Sequence, residues 1–258
     1  MDSNPPIKPM PFWVSLLCFG IPSASGWLGV YILMPALAKQ GIPLFWNFWL
    51  CLTAPLIGLL IAALVGFRLE GRPFTWNDIK VRFRLKPVRG KEWFGVLALL
   101  ASIGLYLFLR QTVSSWLASQ PGFGIPSYIP SILDPRLSQT SIPTEYLGES
   151  LPGKWWILLV MFVVLCFNIY GEEFWWRGYI LPRQELTYGK WAWVIHGILW
   201  AAFHSFWKWD ALSILPGALL LSYVCSRLKN TTPAIIFHWV NNGLTLVATV
   251  FGILGLTF

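Results

Sequence analysis

Three charged side chains fall within six residues of an otherwise apolar stretch, Gly171-Glu172-Glu173-Phe174-Trp175-Trp176-Arg177. An ionisable group at the centre of a membrane span costs about 2.5–3.5 kcal/mol, so three facing lipid would cost on the order of 8 kcal/mol. Each flanking Leu or Val returns only about 0.3–0.6 kcal/mol. Either this helix end reaches water, or the charges face a protein interior or a wet cavity. Glu173 and Arg177 are four residues apart with the acid first, the polarity that favours a one-turn ion pair. Glu172 is rotated about 100° from Glu173 around a helix and cannot use Arg177 equally well. One carboxylate is thus committed to a cation, and its neighbour is left for proton chemistry. All three histidines also lie in apolar stretches. His204 closes Trp200-Ala201-Ala202-Phe203-His204, and His238 opens His238-Trp239-Val240-Asn241-Asn242, with His238 and Asn242 on one helix face. A lone span histidine is ordinarily a hydrogen-bond partner between helices. Two of them on separate spans, with a carboxylate pair and an Asn, make Glu172, His204, His238 and Asn242 a candidate site. His196 has no such companions and is assigned to packing.

Such a site needs helices that cross a bilayer, and the composition supplies them. The 258 residues are 56% hydrophobic and 12% charged, about half the charge of a typical soluble domain. The 17 Trp residues fit membrane–water interfaces, which indole rings favour. A span takes about 20 mostly apolar residues, and seven stretches qualify: 12–37, 43–66, 93–118, 155–185, 191–209, 211–227 and 233 onward. The expected fold is an all-α polytopic transmembrane bundle of about seven to eight spans. It divides into N-terminal spans with a basic loop (1–118), a Pro- and Gly-rich connection (119–154) and a catalytic transmembrane part (155–258). The net charge of +8 is concentrated, because eight of the 19 Lys and Arg fall between Arg68 and Lys91. A polybasic loop beside spans marks the cytoplasmic face and anionic lipid. With no nucleic-acid-binding fold beside it, nucleic acid is not an expected partner. Placing that loop inside puts the N-terminus in the cytoplasm and the 119–154 connection outside. Cys18, Cys51, Cys166 and Cys225 lack CxxC spacing, so neither a disulfide framework nor a zinc motif is expected.

Glu-Glu-x-x-x-Arg, an aromatic-x-x-x-His and His-x-x-x-Asn, in that order on successive spans, resemble the signature of the CAAX prenyl endopeptidase and bacteriocin-processing (CPBP, or Abi) family. The match runs from Glu172 to Asn242. It departs from the family pattern at Trp200, where Phe is usual, which keeps an aromatic wall while reshaping the cleft. The resemblance implies an intramembrane glutamic protease of a bacterial plasma membrane, an eight-helix-like bundle around a conical cavity. In it Glu172 and His204 would activate a water, His238 and Asn242 would donate to the oxyanion, and Glu173 with Arg177 would hold the site. The implied substrate is a membrane-associated protein or peptide, cut without a cofactor.

Other chemistries use the same residue types. Glu172, His204 and His238 could ligate zinc with a water in the open position. However, the chain lacks a His-Glu-x-x-His helix, and a cation beside Arg177 is unfavourable. A proton-coupled transporter would also place Glu, Arg and His in spans, but no inverted repeat is visible and the candidates cluster in the second half. A non-catalytic membrane scaffold is the third alternative, against which the intact set of site residues speaks.

Overall fold

The computed structural model describes residues 6–137 and 142–256. Six helical runs are long and apolar enough to cross a membrane: Phe12–Lys39, Leu44–Leu69, Glu92–Ala118, Trp155–Phe206, Ala211–Leu228 and Thr232–Ile253. Helices are the form such segments must take, since a bilayer offers backbone amides no other partners. In order, α1 is Phe12–Lys39 and α2 is Leu44–Leu69. The short α3, Trp76–Arg82, lies in the basic segment, and α4 is Glu92–Ala118. After the connection come α5 (Trp155–Glu173), α6 (Leu181–Tyr188), α7 (Ala192–Phe203), α8 (Ala211–Leu228) and α9 (Thr232–Ile253). Within the connection, Glu145–Tyr146 pairs antiparallel with Glu149–Ser150. The architecture is the expected all-α bundle.

The run Trp155–Phe206 is 52 residues long, about 78 Å if straight, more than twice the ~30 Å hydrocarbon core. It is two passes. Gly189 takes a positive φ of 53°, which a glycine adopts without strain, and the chain turns back there. His196 Nδ1 then meets Gln184 Oε1 at 2.7 Å, although twelve residues of straight helix would separate them by about 18 Å. With the two arms of this hairpin counted separately, the described residues offer seven candidate passes.

The hairpin is also the centre of the bundle. Half of the most apolar window of 155–206 is buried, against 11% for α4, whose Phe94, Leu97, Leu105 and Phe108 face outward. A water-soluble protein does not expose apolar surface on this scale; lipid is the solvent of these faces. Tight backbone approaches fix the centre. A methyl group on Gly171 would lie 2.5 Å from the Leu56 carbonyl oxygen of α2, and one on Gly197 would lie 2.9 Å from Leu219 Cα of α8. Small residues at such crossings let helices pack where no hydrophobic effect drives them together.

A π-helical turn, Phe174–Ile180, joins α5 to α6. The basic segment grips this turn from outside. Arg82, 2% exposed, donates from Nη1 to the Gly178 carbonyl at 2.7 Å and from Nε and Nη2 to Glu70 at 2.6 and 2.7 Å. Glu70 also receives Arg183 at 2.7 Å and Arg72 at 3.1 Å. Glu185 of α6 holds Arg84 at 2.8 Å and Lys229 at 2.7 Å. Three of the eight clustered cations, Arg72, Arg82 and Arg84, are therefore internal ties rather than a lipid-facing patch. Burial pushes the Glu70 carboxyl up, but the hydrogen bonds and charges of Arg82 and Arg183 outweigh it and hold the group below its ordinary value of 4.5.

Candidate active site

Glu172 and Glu173 end α5, one residue before the π turn that carries Arg177. All three side chains are buried, with exposures of 3%, 0% and 1%. The pair read from the spacing is present: Arg177 Nη1 donates to Glu173 Oε1 at 3.1 Å. That oxygen also meets His238 Nδ1, from α9, at 2.9 Å. Glu173 Oε2 and the Arg177 Nε and Nη2 groups have no partner among the described residues. Glu172 makes no ion pair among the described residues. Its Oε1 accepts from Asn168 Nδ2 at 2.8 Å and its Oε2 from the Trp200 indole N–H at 3.0 Å.

The carboxylate fixes the orientation of a chain of amides, because an ionised oxygen only accepts. Asn168 must turn its nitrogen to Glu172, so its oxygen faces Asn242 and accepts from Asn242 Nδ2 at 2.6 Å. The Asn242 oxygen in turn accepts from Asn241 Nδ2 at 2.9 Å. One hydrogen of the Asn242 amide remains uncommitted. Asn168 was not among the residues singled out from the sequence, although its place one turn before Glu172 was a readable signal.

The two histidines are oriented by the same reasoning. His204 begins the 3-10 turn that ends α7, and its Nδ1 lies 2.9 Å from the Trp200 carbonyl oxygen. A carbonyl cannot donate, so Nδ1 carries the hydrogen and Nε2 of the neutral ring accepts protons. His238 places Nδ1 against the Glu173 carboxylate, so its Nε2 also accepts when neutral and donates only in the imidazolium form.

Trp200 contributes more than a wall. Besides its bond to Glu172, its ring face lies 4.1 Å from the Arg177 guanidinium carbon, and it meets the His204 ring edge-on at 4.7 Å between centroids. His196 is buried against Gln184 and edge-on to Phe19 and, among the described residues, makes no hydrogen bond to this group.

Glu172, His204, His238, Asn242, Asn168 and Trp200 line one cavity of about 530 Å³. It reaches past Trp207 to Tyr106 and Arg110 of α4 and to Asp210 before α8. There Tyr106 donates to Asp210 Oδ2 and Ser114 to Oδ1, both at 2.7 Å. Apart from these polar groups the walls are mostly apolar, with Phe48, Leu52, Met161, Leu165 and Phe237 among them. Polar groups converging in an apolar cavity at membrane depth are what a site for a lipid-borne substrate needs. Among the described residues no three of His, Cys, Asp and Glu stand close enough to hold a metal ion together.

Residues 154–244 match the family model of the type II CAAX prenyl endopeptidase Rce1-like proteins. The UPF0177 protein YaiF of Lactococcus lactis subsp. lactis (strain IL1403) is 22% identical over 169 residues, covering 66% of this chain and 71% of that relative. No solved structure matches the chain. The matched stretch contains Glu172, Glu173, Arg177, Trp200, His204, His238 and Asn242. The chain is an integral membrane protein whose residues 154–244 are similar to the Rce1-like CAAX prenyl endopeptidases, in keeping with the CPBP-type motifs they carry.

Proposed function

We propose that the chain hydrolyses a peptide bond of a membrane-associated protein or peptide with a water activated by Glu172 and His204. The observation that carries this reading is the state of Glu172. It is a buried carboxylate without a cation partner among the described residues, held by two neutral N–H donors, and it lines one cavity with His204, whose Nε2 is the proton-accepting nitrogen. Glu172 and His204 take the proton as the water oxygen attacks the scissile carbonyl carbon. The free amide hydrogen of Asn242 is a donor for the resulting oxyanion. His238 serves the same oxyanion only when Nε2 is protonated, an imidazolium that Glu173 stabilises. Collapse breaks the C–N bond, and the stored proton passes to the leaving amine.

No step of this scheme uses a metal, and the committed hydrogen bonds of Glu172 favour the metal-free reading over zinc. The test uses purified protein and a farnesylated peptide ending in a CAAX motif, with products read by mass spectrometry. Cleavage should survive exhaustive chelation. Glu172→Ala and His204→Ala should each lower kcat by about 10²-fold or more, the scale of general-base catalysis. Asn242→Ala should cost about 10²–10³-fold. Zinc-restored activity after chelation would move these residues to a metalloprotease, and full activity of Glu172→Ala would remove this site.

A further inference from the structure

Trp200 stands at the meeting point of the two carboxylate systems. Its indole N–H donates to Glu172 Oε2 at 3.0 Å. Its face covers the Arg177 guanidinium at 4.1 Å, and its backbone carbonyl orients His204. The residue is 7% exposed, so these contacts are made away from bulk solvent.

Arg177 needs such a cover. Only Nη1 of its guanidinium is bonded to Glu173, and Nε and Nη2 are buried donors without a hydrogen-bond partner among the described residues. A buried cation with free donors seeks any carboxylate in reach, and Glu172 lies five residues away on the same helix. Paired with Arg177, Glu172 would have its oxygens committed to the cation rather than to a water. An indole suits the position because its electron-rich face attracts a guanidinium while its N–H edge is a hydrogen-bond donor. A phenyl ring would do the first and not the second.

We propose that Trp200 is a positioning residue that keeps Glu172 available for catalysis, anchoring one carboxylate oxygen with its N–H and capping Arg177 with its face so that the cation stays on Glu173. The inference rests on the reading of Glu172 as the base, and two variants separate its parts. Trp200→Phe keeps the cap and removes the donor. Trp200→Leu removes both.

The experiment has a spectroscopic arm and a kinetic arm, both on the full chain. Infrared difference spectra of wild type against Glu172→Gln isolate the Glu172 carboxylate bands, and the same difference taken in the Trp200→Phe background should show those bands displaced. With the farnesylated CAAX peptide, Trp200→Phe should lower kcat about tenfold with KM unchanged, the size of one hydrogen bond to a charged group. Trp200→Leu should lower it further. Unmoved carboxylate bands, or wild-type kcat in Trp200→Phe, would overturn the anchoring role. Equal kcat in the Phe and Leu variants would overturn the capping role. If Trp200→Leu does not fold, Trp200→Phe alone decides the anchor. If the bands move but Glu172→Ala still cleaves, the anchor stands and the catalytic reading of Glu172 fails instead.

Discussion

The adjacent Glu172 and Glu173 are set apart by what lies within hydrogen-bond reach of each. Glu173 carries the Arg177 guanidinium at 3.1 Å and the His238 ring at 2.9 Å, whereas among the described residues Glu172 carries only neutral donors from Asn168 and Trp200. A change at Glu173 therefore uncovers Arg177 and loosens His238 together. Glu173→Gln should lower the thermal stability of the detergent-solubilised protein much more than Glu172→Gln, since an uncompensated buried cation costs roughly 3–5 kcal/mol. Paired melting curves check this, and equal melting temperatures would show that the two roles are divided wrongly. The Glu173–Arg177 pair was legible because one helical turn sets its geometry. The His238–Glu173 bond was not, because the two are 65 residues apart and only the packing of α9 on α5 brings them together. Trp200 was legible as an aromatic wall. That its N–H reaches Glu172 depends on the rotamer and on the crossing of α5 and α7, neither of which spacing encodes.

At the scale of elements, the π turn 174–180 and the basic segment form one unit. Arg82 donates to the Gly178 carbonyl while its fork closes on Glu70, tying α3 and the end of α2 to the turn that holds Arg177. Composition marked the 68–91 segment as a topology signal. It could not mark the ties, because Glu70 draws Arg183, and Glu185 draws Arg84 and Lys229, from distant parts of the chain. The tie makes stability depend on pH with a definite sign. The Glu70 carboxyl is held below its ordinary value of 4.5, so its contribution is fully present above about that pH and fades as pH falls through the lowered value. Melting temperature should therefore drop on acidification below about pH 4.5, and Glu70→Gln should remove that part of the dependence while being less stable at neutral pH. Arg82→Lys should behave as a loss as well, because one ammonium cannot reproduce a fork spanning a carboxylate and a carbonyl. A Glu70→Gln protein with an unchanged acid profile would sever the link between this cluster and stability.

For the whole molecule, the sidedness of the site turns on whether Trp155–Phe206 crosses the membrane once or twice. Apolar runs alone give the helices and their approximate ends, and the break at 189 is readable as a Gly-Lys pair between two such runs. The return of α7 along α6 is seen in the Gln184–His196 bond. Seven passes put the basic segment and the N-terminal end on one face, and the 119–154 connection and the end of α9 on the other. Six passes would return the end of α9 to the face of the N-terminal end. By the excess of Lys and Arg, the first face is expected to be the cytoplasmic one. Single cysteines at exposed positions test both statements in a background where Cys18, Cys51, Cys166 and Cys225 are replaced. Ser150→Cys and Leu256→Cys should react with a membrane-impermeant maleimide added to intact cells, and Lys8→Cys and Lys91→Cys only after the membrane is opened. Reaction at Ser150 with protection at Leu256 would mean that the hairpin at Gly189 does not complete a crossing. Reversal at all four positions would keep the seven passes and turn the molecule over. The mouth of the cavity near Tyr106, Arg110 and Asp210 would then face the cytoplasm, and substrates would have to be sought on that side.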